Sequence, residues 1–221
     1  MKCLVFAPHP DDETIGVGGT ILKRIKEGYE VGWVIVTRMG TKKYSEKTIL
    51  TRKKQIDLVN KKYKFSKVFH LNYVVSELDT IPKIKIYDNV SKIMRSFKPK
   101  EVFLPHPSDA HSDHKVVFDV VSASTKSFRF KSIKKIFCYE TLSETGYGLK
   151  IKNSYFEPNY YVDISKFLQK KIEISKIYKS EFKKHPFPRS TRSIISNALI
   201  RGAESGFKFA EAFELLRSLE D

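Results

Sequence analysis

Two short polar clusters carry the residue types that metal-assisted hydrolysis needs. The first is His9-Pro10-Asp11-Asp12-Glu13 and the second is Asp109-Ala110-His111-Ser112-Asp113-His114. Carboxylates and imidazoles packed this densely beside apolar strands are costly to desolvate, and a bound divalent cation offsets that cost directly. Imidazole with carboxylate suits zinc, and a catalytic zinc takes three protein ligands while leaving one position for water. His9 and Asp12 stand three apart at a turn entering a helix, so both can converge on one ion, and His114 supplies a third donor from the second cluster. Two adjacent aspartates cannot easily share one role. Asp12 is read as the ligand, which leaves Asp11 to accept a proton from a water whose pKa zinc lowers to about 7. His111 with Asp113 reads as an imidazole steered by a carboxylate, able to stabilise an oxyanion or protonate a departing amine. Each cluster alone has a plainer reading, since Asp-Asp-Glu before a helix also caps it and His-x-Asp-His is common in polar loops. Their joint placement after two strands of one sheet favours the chemical one.

The elements that must bring the clusters together follow from apolar periodicity. Residues 2–7, 31–37, 67–71, 101–105 and 133–140 are short apolar runs, read as strands, and 15–27, 46–62, 83–97 and 113–126 have helical spacing. This alternation predicts an α/β fold, a Rossmann-like, mostly parallel sheet with helices on both faces. In such sheets ligands bind beyond the carboxyl ends of the strands, where both clusters fall. After Glu140 the pattern is irregular through Pro158, and residues 141–158, which include Ser143-Glu144-Thr145-Gly146-Tyr147-Gly148, are read as a substrate-side loop. A short extended piece at 160–162 then leads into a long helix expected over about 165–184, capped by Asp163 or Ser165. His185-Pro186-Phe187-Pro188 must break that helix, and a last one is expected over about 190–205. The expectation is one domain, 1–221, with a C-terminal helical extension.

Composition bounds the function. The 221 residues carry 41 lysines and arginines against 25 acidic residues, a net charge of +16, which favours an anionic substrate or partner. Cys3 and Cys138 sit in apolar runs without any Cys-x-x-Cys, which argues against a zinc ribbon or a disulfide framework and for a reducing cytoplasm. No run reaches the roughly 18 apolar residues of a membrane span, so any membrane contact would be peripheral. Gly16-Val17-Gly18-Gly19 does not fit a dinucleotide fingerprint, because its spacing is wrong and Thr37-Arg38 offers no acid for a ribose. The alternative class is a basic nucleic-acid-binding module without catalytic metal. Charge and 13% aromatic residues support it, but no nucleic-acid motif does, and the aromatics fall where core packing explains them. No nucleic-acid partner is expected.

The sequence resembles the LmbE-like, or PIG-L, family of zinc-dependent N-acetylglucosaminyl deacetylases along nearly its whole length. The resemblance rests on a strand followed by His9 to Glu13, on Gly18-Gly19-Thr20, on His111 to His114, and on Arg201-Gly202 with Ala210-Glu211-Ala212-Phe213. It implies Zn2+ held by His9, Asp12 and His114, with Asp11 as general base. It also implies that His111, oriented by Asp113, stabilises the tetrahedral intermediate. Arg52 resembles a family arginine that touches substrate, although Gln55 stands where a glutamate is common, and Glu140 resembles another position near the site. The implied reaction is hydrolysis of an acetamide on an amino sugar, a small-molecule substrate whose anionic character would suit the basic chain, and the implied assembly is a homo-oligomer.

Overall fold

The computed structural model describes residues 1–148 and 155–220. The chain runs β1 (Lys2–Ala7), α1 (Asp12–Lys26), β2 (Glu30–Arg38), α2 (Glu46–Tyr63), β3 (Lys67–Val74), α3 (Lys83–Phe97), β4 (Glu101–Pro105), α4 (Ser112–Ala123), β5 (Lys135–Tyr139), β6 (Tyr160–Asp163), α5 (Leu168–Ser175), α6 (Thr191–Ser205) and β7 (Ala210–Ser218). One seven-stranded sheet has the order β3-β2-β1-β4-β5-β7-β6. The first five strands pair in parallel, and β7 pairs antiparallel with both β5 and β6. The predicted α/β class holds, and no described helix is long and apolar enough to cross a membrane.

Alternation along the strands explains the two layers. Cys3, Val5 and Ala7 of β1 join Trp33 and Phe103 in a core closed by α1, α2, α5 and α6. Leu4 and Phe6 point the other way, into a core with Val90 and Met94 of α3 and Val117 and Val121 of α4. Strand order reverses between β1 and β4, and a crevice opens beyond the carboxyl ends of such a pair. The first polar cluster follows β1 and the second follows β4.

Helix α1 lies unusually close to its neighbours. A Cβ at Gly16 would stand 2.3 Å from Cδ2 of Tyr139, whose ring cannot retreat because it is fully buried and its hydroxyl donates to the Phe6 carbonyl at 2.7 Å. Gly16→Ala is therefore expected to lower stability by about 1–3 kcal/mol, the usual range for overpacking, read as a lower urea midpoint. Further along, Gly19 and Thr20 donate their backbone N–H groups to the Glu211 carboxylate at 2.8 and 2.7 Å, and Lys171 Nζ meets the same carboxylate at 2.7 Å. Such a buried acid is tolerated because it is fully hydrogen-bonded, and it pins α1 to β7.

The expected C-terminal helical extension is met only by α5 and α6, and two segments differ. The long helix expected over 165–184 is the eight-residue α5, followed by turns. Tertiary contacts win over periodicity there: Tyr178 is fully buried and donates its hydroxyl to Glu13 at 3.0 Å, which a continuing solvent-facing helix would not allow. Residues 210–218, for which the periodicity gave no element, form β7. Their Ala, Glu and Leu residues favour helix on their own, but β5 is buried and its open edge must be paired.

Candidate active site

The loop leaving β1 is tied down before it reaches the reactive side chains. Pro8 O accepts the backbone N–H and the hydroxyl of Thr37 at 3.0 and 2.7 Å, and Pro10 O accepts Arg52 Nη1 at 2.8 Å. Asp11 then adopts φ 141°, ψ −27°, a conformation that costs a non-glycine residue about 1–3 kcal/mol. Its N–H donates to Glu13 Oε2 at 3.0 Å, and its carbonyl accepts the N–H groups of Thr14 and Ile15 at 3.0 and 2.9 Å. The Asp11 carboxylate does not cap α1. It meets Arg189 Nη1 at 2.6 Å instead, so the plain capping reading fails for this residue.

Three donors converge on one point. His9 Nδ1, Asp12 Oδ2 and His114 Nε2 are separated by 3.3, 3.2 and 3.3 Å, nearly an equilateral triangle. Donors about 2.0–2.1 Å from a tetrahedral zinc lie roughly 3.3–3.4 Å from one another, so the triangle matches such an ion. Asp12 and His114 are fully buried, and Asp12 Oδ1 has no hydrogen-bond partner among the described residues, an orphan that a cation would satisfy. The far nitrogen of each imidazole rests on a carboxylate: His114 Nδ1 on Asp109 at 2.7 Å and His9 Nε2 on Asp113 at 3.0 Å. This is the outer-shell arrangement that orients metal-ligating histidines. Burial alone would depress the His114 imidazolium, but Asp12 and Asp109 outweigh it and lift the pKa to about 10. The pocket is built for positive charge.

Asp113 therefore departs from its expected role. Its carboxylate is engaged by His9 and by the N–H groups of Ser76 and Leu78 at 2.8 and 3.3 Å, and it lies 3.9 Å from His111 Nδ1. It orients His9, not His111. His111 occupies the N-cap of α4, where its Nδ1 accepts the Asp113 backbone N–H at 3.1 Å. Burial and the nearby His9 charge push His111 down to about 4, so the neutral ring carries its proton on Nε2, the nitrogen left for a ligand. Its ring centroid lies 4.4 Å from that of His9.

Asp11 is 2% exposed, and burial raises its carboxyl to about 6 even with the Arg189 guanidinium holding it down. Burial likewise raises Glu13 to about 8 although Thr14, Asp11 and Tyr178 all donate to it. Arg52 does line the adjoining groove, but its guanidinium is engaged by Pro10 O, Ser180 Oγ at 3.1 Å and the Glu181 carboxylate. Glu140 is tied to Arg201 at 2.9 Å and to Asn197 at 3.0 Å and does not line that groove. The expected substrate-side loop is described over 141–148 and 155–158, with residues 149–154 outside the described residues. Within it Ser143 and Glu144 hold Arg189 at 2.7 and 3.2 Å, and Thr145 Oγ1 donates to Asp109 at 2.6 Å.

Residues 4–125, more than half of the chain, match the model of the PIG-L family, described as GlcNAc-PI de-N-acetylase. Diacetylchitobiose deacetylase of Thermococcus kodakarensis is 25% identical over 232 aligned positions, which cover 97% of this chain and 83% of the relative. Among solved structures, N,N'-diacetylchitobiose deacetylase of Pyrococcus horikoshii in complex with its inhibitor superposes with a TM-score of 0.78 at 24% identity, over 98% of this chain and 84% of that one. GalB of Pseudomonas putida, a 4-carboxy-2-hydroxymuconate hydratase, superposes with a TM-score of 0.76 at 15% identity, over 100% and 98%. At these identities the two solved structures establish a shared fold.

Proposed function

The chain belongs to the PIG-L family, and from that premise we propose that it is a zinc-dependent hydrolase that removes the acetyl group from an N-acetylglucosamine-type amino-sugar conjugate. The observation that carries this reading is the donor triangle of His9, Asp12 and His114 beside an uncapping, buried Asp11. The nucleic-acid alternative leaves those buried donors unexplained. A cation in the triangle supplies Lewis acidity toward the amide carbonyl and lowers the pKa of water. Asp11 accepts the proton of the attacking water and returns it to the nitrogen as the carbon–nitrogen bond breaks, leaving acetate and an amine. His111, neutral and protonated on Nε2, donates a hydrogen bond to the carbonyl oxygen as it gains charge. Asp113 and Asp109 hold the two imidazole ligands in orientation. Arg52 fixes the Pro10 carbonyl and so the loop that carries Asp11. Two unpaired, buried cysteines suit a reducing cytoplasm.

Arg189 sets when Asp11 is ionised. Its guanidinium favours the carboxylate, so Arg189→Met removes a lowering influence and raises the Asp11 pKa. Only the carboxylate can accept a proton, and the acid limb of kcat/KM is expected to move to higher pH in this variant, with the limb unmoved if Arg189 does not act on Asp11.

The direct test is acetate release from N-acetylated amino sugars by zinc-loaded protein. Stoichiometric acetate and free amine support the reading. Turnover of an unsaturated acid by hydration without any acetate release, the kind of activity named for the shared-fold hydratase, would replace it.

A further inference from the structure

We propose that the outer face of the turn carrying Arg189 is a binding site for a compact anion with two or more phosphoryl groups, and that its occupant braces this turn. The site is separate from the groove over His9 and Asp11, and it stands whether or not the chain is a deacetylase.

The residues from Lys176 to Ser190 join α5 to α6, and their side chains divide between two faces. Tyr178, Glu181 and Arg189 turn inward, to Glu13, Arg52 and Asp11. Lys176, Lys179, Lys183 and Lys184 are exposed, as is Arg192 in the first turn of α6, and these five cations line one open pocket of about 470 Å³. Backbone contacts fold the chain so that they meet there. The Lys183 N–H donates to the Arg189 carbonyl and the Phe187 N–H to the Lys184 carbonyl, both at 3.1 Å. The Lys183 ammonium also lies over the Phe187 ring, 5.0 Å from its centroid.

Nothing nearby cancels the charge of this pocket. From residue 174 to residue 203 the sequence holds one acidic residue, Glu181, and that side chain is committed to Arg52 and Arg189 on the inner face. No acidic side chain lines the pocket, and none of the five cations makes an ion pair among the described residues. Lysines on other elements do find acids, as Lys83 finds Asp119 and Lys170 finds Glu173, so the pocket is not merely a sample of a lysine-rich surface. Like charges gathered in one concavity repel, and an anion that enters relieves the repulsion while attracting each cation around it. Ammonium groups act on phosphoryl oxygens as point charges from any side, which suits a compact polyanion. The hollow shape favours such a ligand over a flat bilayer or a duplex, which would touch only the rim. An occupant held between Lys179 and Lys184 on one arm and Arg192 on the other ties together the two arms between which Arg189 is presented to Asp11.

The test is calorimetric titration of pyrophosphate and of inorganic phosphate, at fixed ionic strength, onto zinc-loaded parent and two variants that lose equal charge. The pocket variant combines Lys179→Ala, Lys184→Ala and Arg192→Gln. The control combines Lys85→Ala, Lys92→Ala and Arg95→Gln, exposed positions on α3, which packs in the other core across the sheet. The parent is expected to bind pyrophosphate about tenfold more tightly than inorganic phosphate, through the additional charge-assisted contacts of the second phosphoryl group. The pocket variant should bind pyrophosphate about tenfold more weakly than the parent, the combined effect of three exposed ion pairs, and the α3 variant within about twofold of it. Pyrophosphate that binds or extracts the zinc gives the same signal in all three proteins, so equal binding in all three overturns the site, as does an equal loss in both variants. Amide exchange over residues 181–189 should slow when pyrophosphate binds the parent and stay unchanged in the pocket variant; unchanged exchange in the pyrophosphate-bound parent overturns the bracing. Acetate release without added anion should be the same in parent and pocket variant, so failure of the deacetylase reading shows as no acetate from either and leaves the titration to decide the site.

Discussion

Asp11→Asn is expected to keep bound zinc and fold while losing about 10²–10⁴-fold in kcat, the usual range for removing a positioned general base. The amide is nearly the same size, and asparagine shares the tolerance of aspartate for positive φ, so the strained backbone at this position survives the change. Arg189 keeps Glu144 at 3.2 Å and Glu181 at 3.7 Å as partners, so its charge is not stranded. None of the three donors in the triangle is altered. The variant loses only the oxygen that can hold a proton. Zinc content by elemental analysis and kcat on any accepted substrate check both halves, and undiminished turnover would remove Asp11 from the chemistry.

His114→Ala should lose the ion and the activity together. The substitution removes one corner of the triangle and leaves Asp12 and Asp109 as buried carboxylates that had faced an imidazole at 3.2 and 2.7 Å. Asp12 keeps His9 and Asp109 keeps the Thr145 hydroxyl, but both lose a charged partner, which is expected to cost about 3–5 kcal/mol of stability besides. Asp109→Asn separates the two effects, because it leaves all three donors in place and weakens only the carboxylate behind His114. Loss of such an outer-shell partner lowers metal affinity by about 10–100-fold. Zinc competition with a chromogenic chelator reads the ordering: parent tightest, Asp109→Asn weaker, His114→Ala without measurable binding. Equal affinity in Asp109→Asn would mean that Thr145 and the packing around Asp109 hold the ring without the charge.

Much of this arrangement was legible in the sequence because it is local. Apolar runs marked five strands, and the polar stretches after two of them marked the crevice, since the carboxyl ends of parallel strands leave backbone groups and loops open to a ligand. The second cluster predicted that His111 and Asp113 would act as a pair, and here spacing misled. Two residues apart at the first turn of a helix, His111 takes the N-cap position and the Asp113 side chain turns toward His9, more than a hundred residues away in the chain. Asp109 stood in the same cluster, yet nothing in its neighbours said that its carboxylate would back His114.

Arg189 was invisible to sequence reasoning for a different reason. It lies 178 residues from Asp11, beyond a stretch whose apolar spacing looks helical until Tyr178 is drawn into the core by Glu13. An arginine in a lysine-rich chain carries no signal of its own. Strand β7 escaped notice because its residues neither alternate cleanly nor avoid helix formers, and its place is dictated by the open edge of β5 and by the α1 amide groups that Glu211 accepts. In each case a partner far along the chain decided what the segment became.

The central claim is that His9, Asp12 and His114 together hold the cation at which an acetamide is cleaved. Anomalous diffraction at the zinc edge from crystals of the zinc-loaded protein tests it most directly. One peak is predicted about 2.0–2.2 Å from His9 Nδ1, an Asp12 oxygen and His114 Nε2. His9, His111 and Asp113 also lie close enough to form a second cation-binding group. A peak held by that group, with Asp12 and His114 left uncoordinated, would contradict the claim.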